Sequence, residues 1–379
     1  MTTTFSTTGT GSSTETAEAA RRIERWLLRS GVQIEEGAQC GAVAGWLDGK
    51  GQLEFVYLEI TGYYLNAMAW LASGAASSPQ GAADALEHGR QALDWITRTS
   101  SERGVPPTRL YLSTGRSDWR NAGVFTFDLA MAARGVACFG DVDRHDAGDA
   151  WEKPAVGLCD MIESMSSGAA VLQSHDKVDG APLPDRWSTQ PGPHHLKAAA
   201  GLLRIPDGVL GTPLRRICHR TCEHWEAMLR EAWPCRELHP LLYGIEGLLI
   251  GASATDDDGA LEVVERLYTR LMGLQAVDGT LAETRAGGIV RSDVLAQALR
   301  IGLLLRGHGY LRGDDWAGRL EGLTRALLGF VRADGGVLFS GDQDIANVWC
   351  AMFAHQALVL HSWGGEEADL TAAAMKLLV

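Results

Sequence analysis

Tyr57-Leu58-Glu59-Ile60-Thr61-Gly62-Tyr63-Tyr64 opens an apolar run that continues through Leu65, Met68, Ala69, Trp70 and Leu71. A helix this apolar on every face does not lie on a surface. Only its first turn is polar, with one carboxylate followed within five residues by two phenols. A buried helix that is polar only at its N-terminal end points that end at a cavity.

Five later stretches share the layout. Asp128 precedes the run Leu129 to Cys138, and His194-His195 precedes Leu196 to Ile205. His239 precedes Leu241 to Ile250, and Arg291-Ser292-Asp293 opens the run to Leu305. Asp342-Gln343-Asp344 opens Ile345 to Leu360. Amphipathic segments alternate with these runs. The first spans Thr16 to Ser30, with Ala20, Ile23, Trp26 and Leu27 on one stripe. Others span Pro79 to Thr99, Asp149 to Ser164 and Pro213 to Trp233, and two more follow Asp256-Asp257-Asp258 and Asp314-Asp315. A last helix is expected over Glu367 to Leu378.

Amphipathic helices cover a core from outside, and helices apolar all round lie within it. Strand signals are weak and confined to loops. Asp48-Gly49, Asp278-Gly279 and Asp334-Gly335 supply tight turns between an outer helix and its inner partner. The alternation predicts an all-α chain, an (α/α)6 toroid of six helical hairpins. It is read as one domain over residues 15–379, after a disordered Ser/Thr-rich tail over residues 1–14.

Composition narrows the function. The 379 residues are 46% hydrophobic and carry a net charge of -13, so the chain has no general attraction for nucleic acid or for anionic membrane surfaces. No run is long and apolar enough to predict a membrane span. Seven cysteines, an odd number and several in apolar runs, read as reduced thiols in a cytoplasmic protein. The N-terminal residues lack the basic and apolar regions of a signal peptide.

Glu59-Ile60-Thr61-Gly62-Tyr63, Phe125-Thr126-Phe127-Asp128, Pro240 to Leu249 and Gln275-Ala276-Val277-Asp278-Gly279 resemble elements of the six-hairpin glycosidase superfamily. Bacterial polysaccharide-biosynthesis proteins and the helical domains of uronyl epimerases are the nearest resemblance. It implies action on a saccharide in polysaccharide metabolism. The superfamily includes hydrolases, lyases, epimerases and isomerases, so the fold does not name the reaction.

In a toroid the inner-helix openings converge on a funnel. Glycoside hydrolysis needs a protonated acid and a second carboxylate. The candidates are Glu59, Asp128, Asp293 and Asp344, with Glu59 and Asp128 foremost. Helix capping is the competing explanation for each Asp. Epimerisation or isomerisation instead needs an acid and a base on opposite faces of the sugar, for which His195 and His239 are candidates. A sugar-binding scaffold without catalysis is the third reading. Tyr63, Tyr64, His194, Asn347 and Trp349 are candidate substrate contacts, and Arg285 and Arg291 are candidates for a uronate carboxylate. Cys218, Cys222 and His224 have the spacing of a metal cluster, but they read better as the inward stripe of an outer helix. No metal and no cofactor are expected. The sequence leaves oligomeric state open.

Overall fold

The computed structural model describes residues 10–103, 108–144, 149–178, 182–255, 258–363 and 373–379. Asp256 and Asp257 lie outside these, as do residues 1–9 of the expected tail and the first part of the expected last helix.

Setting aside one short turn, the described helices in chain order are α1 (Thr10–Arg29), α2 (Leu58–Trp70), α3 (Pro79–Arg103), α4 (Thr126–Val142), α5 (Glu152–Met165) and α6 (His194–Leu202). They continue with α7 (Thr212–Glu231), α8 (Leu238–Thr255), α9 (Asp258–Met272), α10 (Ser292–Gly307), α11 (Asp314–Leu328) and α12 (Val348–Ser362). Odd-numbered helices are the outer members of each pair and even-numbered ones the inner. All residues of α2 and α6 are buried. In α7, by contrast, burial falls on Leu214, Cys218, Thr221, Trp225 and Leu229, one stripe of an amphipathic helix. The chain has the expected alternation, an all-α ring of helical hairpins. The first helix begins at Thr10, within the stretch expected to be tail.

Short strands stitch the inner-helix openings together. They are β1 (Trp46–Leu47), β2 (Phe55–Tyr57), β3 (Arg109–Tyr111), β4 (Gly123–Phe125), β5 (His175–Lys177), β6 (Ala282–Thr284), β7 (Gly287–Val290) and β8 (Ala346–Asn347). β2 pairs with β3, and β4 with β5, each joining one hairpin to the next. β1 pairs with β8 through Trp46 opposite Asn347, so the first and last hairpins meet and the ring closes. Single bridges Glu237–Thr284 and Arg291–Ser340 continue the rim. The segment between α5 and α6 supplies β5 and a 3-10 turn at Trp187–Thr189.

Two glycines set the spacing of α2 and α4. A Cβ added to Gly135 would lie 2.2 Å from the carbonyl oxygen of Gly62. The helices therefore touch backbone to backbone, and this brings their polar first turns side by side. Among the described residues, no helix is long and apolar enough to cross a membrane.

Candidate active site

The openings of the inner helices surround a cavity of about 1200 Å³. This exceeds the roughly 300–1,000 Å³ typical of small-molecule pockets. Glu59 and Asp128 lie in the first turns of α2 and α4, and both line it. They are 9% and 6% exposed, so each carboxylate is nearly removed from water. Tyr57, the residue before α2, joins them. Its hydroxyl lies 3.5 Å from Asp128 Oδ1 and also bonds Glu59. Asp128 Oδ2 has no hydrogen-bond partner.

Burial raises both acids, since a charge there lacks water. For Asp128 the negative charge of Glu59 adds to this and lifts its value well above the ordinary carboxylate range. For Glu59 the rise is opposed by the Tyr57 hydrogen bond and by Lys197, Arg109 and Arg120. The two acids titrate as a pair, and burial together with their mutual repulsion keeps a proton on it above the ordinary carboxylate range.

The arginines come from the segment between α3 and α4. Asp118 caps the 3-10 turn Trp119–Ala122 and binds Arg120 at 2.7 Å and Arg109 at 3.6 Å. Two guanidinium groups thus share one acid beside the carboxylate pair. Burial would raise Asp118, but the Arg120 N–H, Tyr111 and the two arginines hold it below its usual value. Arg109 also lies over the rings of Phe55 and Tyr57, at 4.0 and 4.9 Å.

Imidazole and aromatic side chains line another part of the cavity. His194 and His239, at the starts of α6 and α8, both line the cavity. Trp187 covers them, its ring 5.1 Å from His194 and 5.6 Å from His239. His194 Nδ1 has no partner, whereas His239 Nδ1 lies 2.7 Å from Gln297 Oε1. Burial lowers both, His239 to about 4 and His194 well below the ordinary histidine value, so both are neutral near pH 7.

The other sequence candidates are placed differently. Asp293 is fully buried beneath the cavity wall, where it binds Arg291 and accepts the Trp349 indole N–H at 3.2 Å. It lies 3.6 Å from His239 Nδ1. Burial would raise it, but Arg291 and His239 hold it below the usual range. Its part is to orient three cavity-lining side chains. Asp344 does not reach the cavity; it is exposed and pairs with Arg332 at 3.2 Å. His195 faces away, accepting the Gly192 N–H at 3.4 Å, and burial lowers it to about 4.

Tyr63 is buried under the cavity floor. Tyr64 points outward and donates to the Leu27 carbonyl at 3.0 Å on α1. Arg285 lies over Trp233, outside the cavity lining, while Arg291 lines the cavity with its charge committed to Asp293. Trp349 and Asn347 line it as expected, although the Asn347 side chain also caps α12 through the Cys350 N–H. Cys218 is buried on the inward stripe of α7, and His224 packs on Trp225.

Tyr57, Arg109, Arg120, Trp187 and Tyr243 also line the cavity and escaped the sequence reading. Tyr57 and Tyr243 lay within the quoted motifs and could have been found there. The arginines and Trp187 sit in loops whose partners are distant in sequence.

No protein-family model matches the chain, and no curated protein matches its sequence. Solved structures do match. A sugar epimerase from a ruminal bacterium has TM-score 0.70 at 11% identity, covering 94% of this chain and 99% of its own. A D-mannose isomerase has TM-score 0.66 at 10% identity, with coverage of 94% and 99%. The unsaturated glucuronyl hydrolase of a Bacillus species, described as degrading glycosaminoglycan, has TM-score 0.63 at 12% identity, with coverage of 91% and 96%. The fold is an (α/α)6 toroid, shared with these structures. At these identities the likeness fixes the architecture of the toroid and leaves its chemistry to the residues in the cavity.

Proposed function

We propose that this chain is a carbohydrate-active enzyme that hydrolyses a glycosidic bond, with residues 15–379 acting as one domain. The observation that carries the reading is the carboxylate pair. Glu59 and Asp128 open onto one cavity, share the Tyr57 hydroxyl and are both raised by burial. Asp128 holds the proton that a departing glycosidic oxygen requires, and Glu59 supplies the negative charge on the other side. One hydroxyl reaches both carboxylates, so they stand near one another, as a retaining enzyme with Glu59 as its nucleophile requires. The hydrolase among the matching structures supports this reading.

The test is release of reducing ends from a panel of oligosaccharides, followed by Glu59→Gln and Asp128→Asn. Activity lost in both variants, with retained anomeric configuration in the native product, is the expected result. Full activity in both variants would overturn the assignment.

A second reading has its own observation. His194 lines the cavity with Nδ1 unpartnered, and His239 lines it too. Neutral imidazoles in those places suit an epimerase or isomerase, the activities named for two of the matching structures. Deuterium taken up at carbon from heavy water, without reducing-end release, would favour that chemistry. Saccharide binding with neither signal would leave a non-catalytic toroid.

A further inference from the structure

Five of the six inner helices carry a polar side chain at the same depth. Eight residues past the first residue of its helix stand Asn66 on α2, Arg134 on α4, Glu246 on α8, Arg300 on α10 and Gln356 on α12, while α6 has Leu202 there. All five are at most 1% exposed. Eight residues of helix span roughly 12 Å, so these side chains form a polar layer well below the openings. Arg300 donates to Glu246 Oε1 at 2.9 Å and to Gln356 Oε1 at 3.2 Å. Lys197 on α6 joins the layer to the site. It donates to Glu246 Oε2 at 2.9 Å, and its ammonium lies 4.6 Å from the ring of Tyr243, which lines the cavity. The groups form a polar column along the axis of the ring.

The segment over 373–379 is set into this layer. Arg134 donates to the carbonyls of Leu378 at 2.6 Å and Lys376 at 3.2 Å. Gln356 donates to the Leu377 carbonyl at 3.1 Å and accepts the Val379 N–H at 3.2 Å. Lys197 donates to the Val379 carbonyl at 3.0 Å. Four successive carbonyls are thus taken by side chains from three inner helices. Ala374, Met375, Leu377, Leu378 and Val379 are at most 3% exposed, whereas Lys376 turns outward to Asp141 at 2.7 Å.

The segment is nevertheless separable from the ring. Among the described residues its hydrogen bonds to the ring run through side chains of the helices, and the bond from the Leu377 N–H to the Ala373 carbonyl at 2.9 Å stays inside the segment. The ring closes without it, since each inner helix packs on the next from α2 through α12 and back to α2. The layer also keeps unpaired atoms with the segment in place: both amide atoms of Asn66, and Arg134 Nε. Such atoms cost free energy, so stability alone does not account for the layer. We propose that residues 373–379 are a detachable strap, which plugs the axis at this polar layer and opens as a unit while the inner helices stay folded. Proteins open in contiguous units of this kind at a lower cost than global unfolding. With the strap open, water reaches Lys197 and the underside of Tyr243, so the strap seals the site from the far end of the ring. The inference is independent of the reaction at Glu59 and Asp128.

The experiment is native-state hydrogen exchange on the full chain, read by mass spectrometry, together with N-ethylmaleimide labelling of Cys138. Cys138 is 9% exposed and lies on the face of α4 that carries Arg134 and Asp141, both bonded to the segment. The amides of Leu377 and Val379 are expected to exchange through an opening about tenfold or more as populated as the one that exposes α2. Cys138 should label through the same opening. Exchange of these amides only together with α2 would overturn the inference, and so would exchange as fast as in an unstructured peptide. In Arg134→Met the strap should open about tenfold more often relative to α2, because two charge-assisted hydrogen bonds are lost. A folded Arg134→Met chain whose segment exchanges no faster would also overturn it. The measurement on the native chain decides the matter even if that variant does not fold.

Discussion

A Cβ added to Gly62 would lie 2.6 Å from the Cα of Ala132, so α2 and α4 meet with no side chain between them. Gly62 is three residues past Glu59, and Ala132 four past Asp128. The contact sits about one turn beneath the carboxylates and sets the distance between them. The pairing of the two acids is thus a product of helix packing.

Gly62→Ala tests that relationship. Alanine favours a helix by itself, but here its methyl meets backbone, which cannot swing aside as a side chain can. The variant is expected to lose roughly 1–3 kcal/mol of stability. It should lose turnover beyond what the stability loss explains, as α2 and α4 separate. Chemical denaturation and saccharide turnover, measured on the same preparation, check both parts.

Asp128→Asn should trade activity for stability. Asp128 is raised in the folded state, so the native chain binds more protons than the unfolded one between the two values. The stability it contributes is fully present below the unfolded value and is lost as pH rises through the folded value. At neutral pH the amide removes that dependence, and the melting temperature is expected to exceed that of the native chain. At low pH the difference should vanish. Loss of the proton donor should lower kcat by about 10²–10⁴. A melting temperature that falls at neutral pH would contradict the environment assigned to Asp128.

Asp293→Ala should act through the residues it holds. The change releases the Trp349 indole, frees Arg291 and removes the acid facing His239. A buried ion pair broken on one side costs about 3–5 kcal/mol, here toward the lower figure because Arg291 retains some contact with water. The rise in KM should be larger than the fall in kcat. Asp344→Ala, a change to an exposed surface residue, is expected to leave both constants within twofold.

Glu246→Gln examines the axial column. Arg300 would keep its charge with no acid beside it, and Lys197, drawn down to about 7 even with Glu246 present, would give up its proton, in surroundings fully closed to water. A loss of about 3–5 kcal/mol is expected from denaturant unfolding. Replacing Glu246 and Lys197 together by Gln and Met should cost less than the sum of the single changes, because the pair is coupled.

Much of the fold was legible in the chain because burial leaves a local record. An inner helix shows itself by residues apolar on every face, as in Leu58–Trp70, and an outer helix by a single stripe, as in Thr212–Glu231. The beginning of the first helix was less legible: Thr10-Gly11-Ser12-Ser13-Thr14 has the composition of a tail and is helical. Intrinsic propensity is weak, and tertiary context overrides it.

By itself the sequence determined the alternation of helices, hence the toroid, and the polar openings from which a site would be built. Tertiary structure decided which openings meet. Glu59, Asp128, Asp293 and Asp344 look alike in the chain, each an acid before an apolar run. Only packing distinguishes a pair joined by Tyr57, an acid buried under Arg291 and an acid in solvent beside Arg332. The physical reason is range. Hydrophobic periodicity is carried by neighbours a turn apart, whereas the ionisation of a carboxylate is set by charges and rings brought from elsewhere in the ring, Arg109, Arg120 and Lys197 among them.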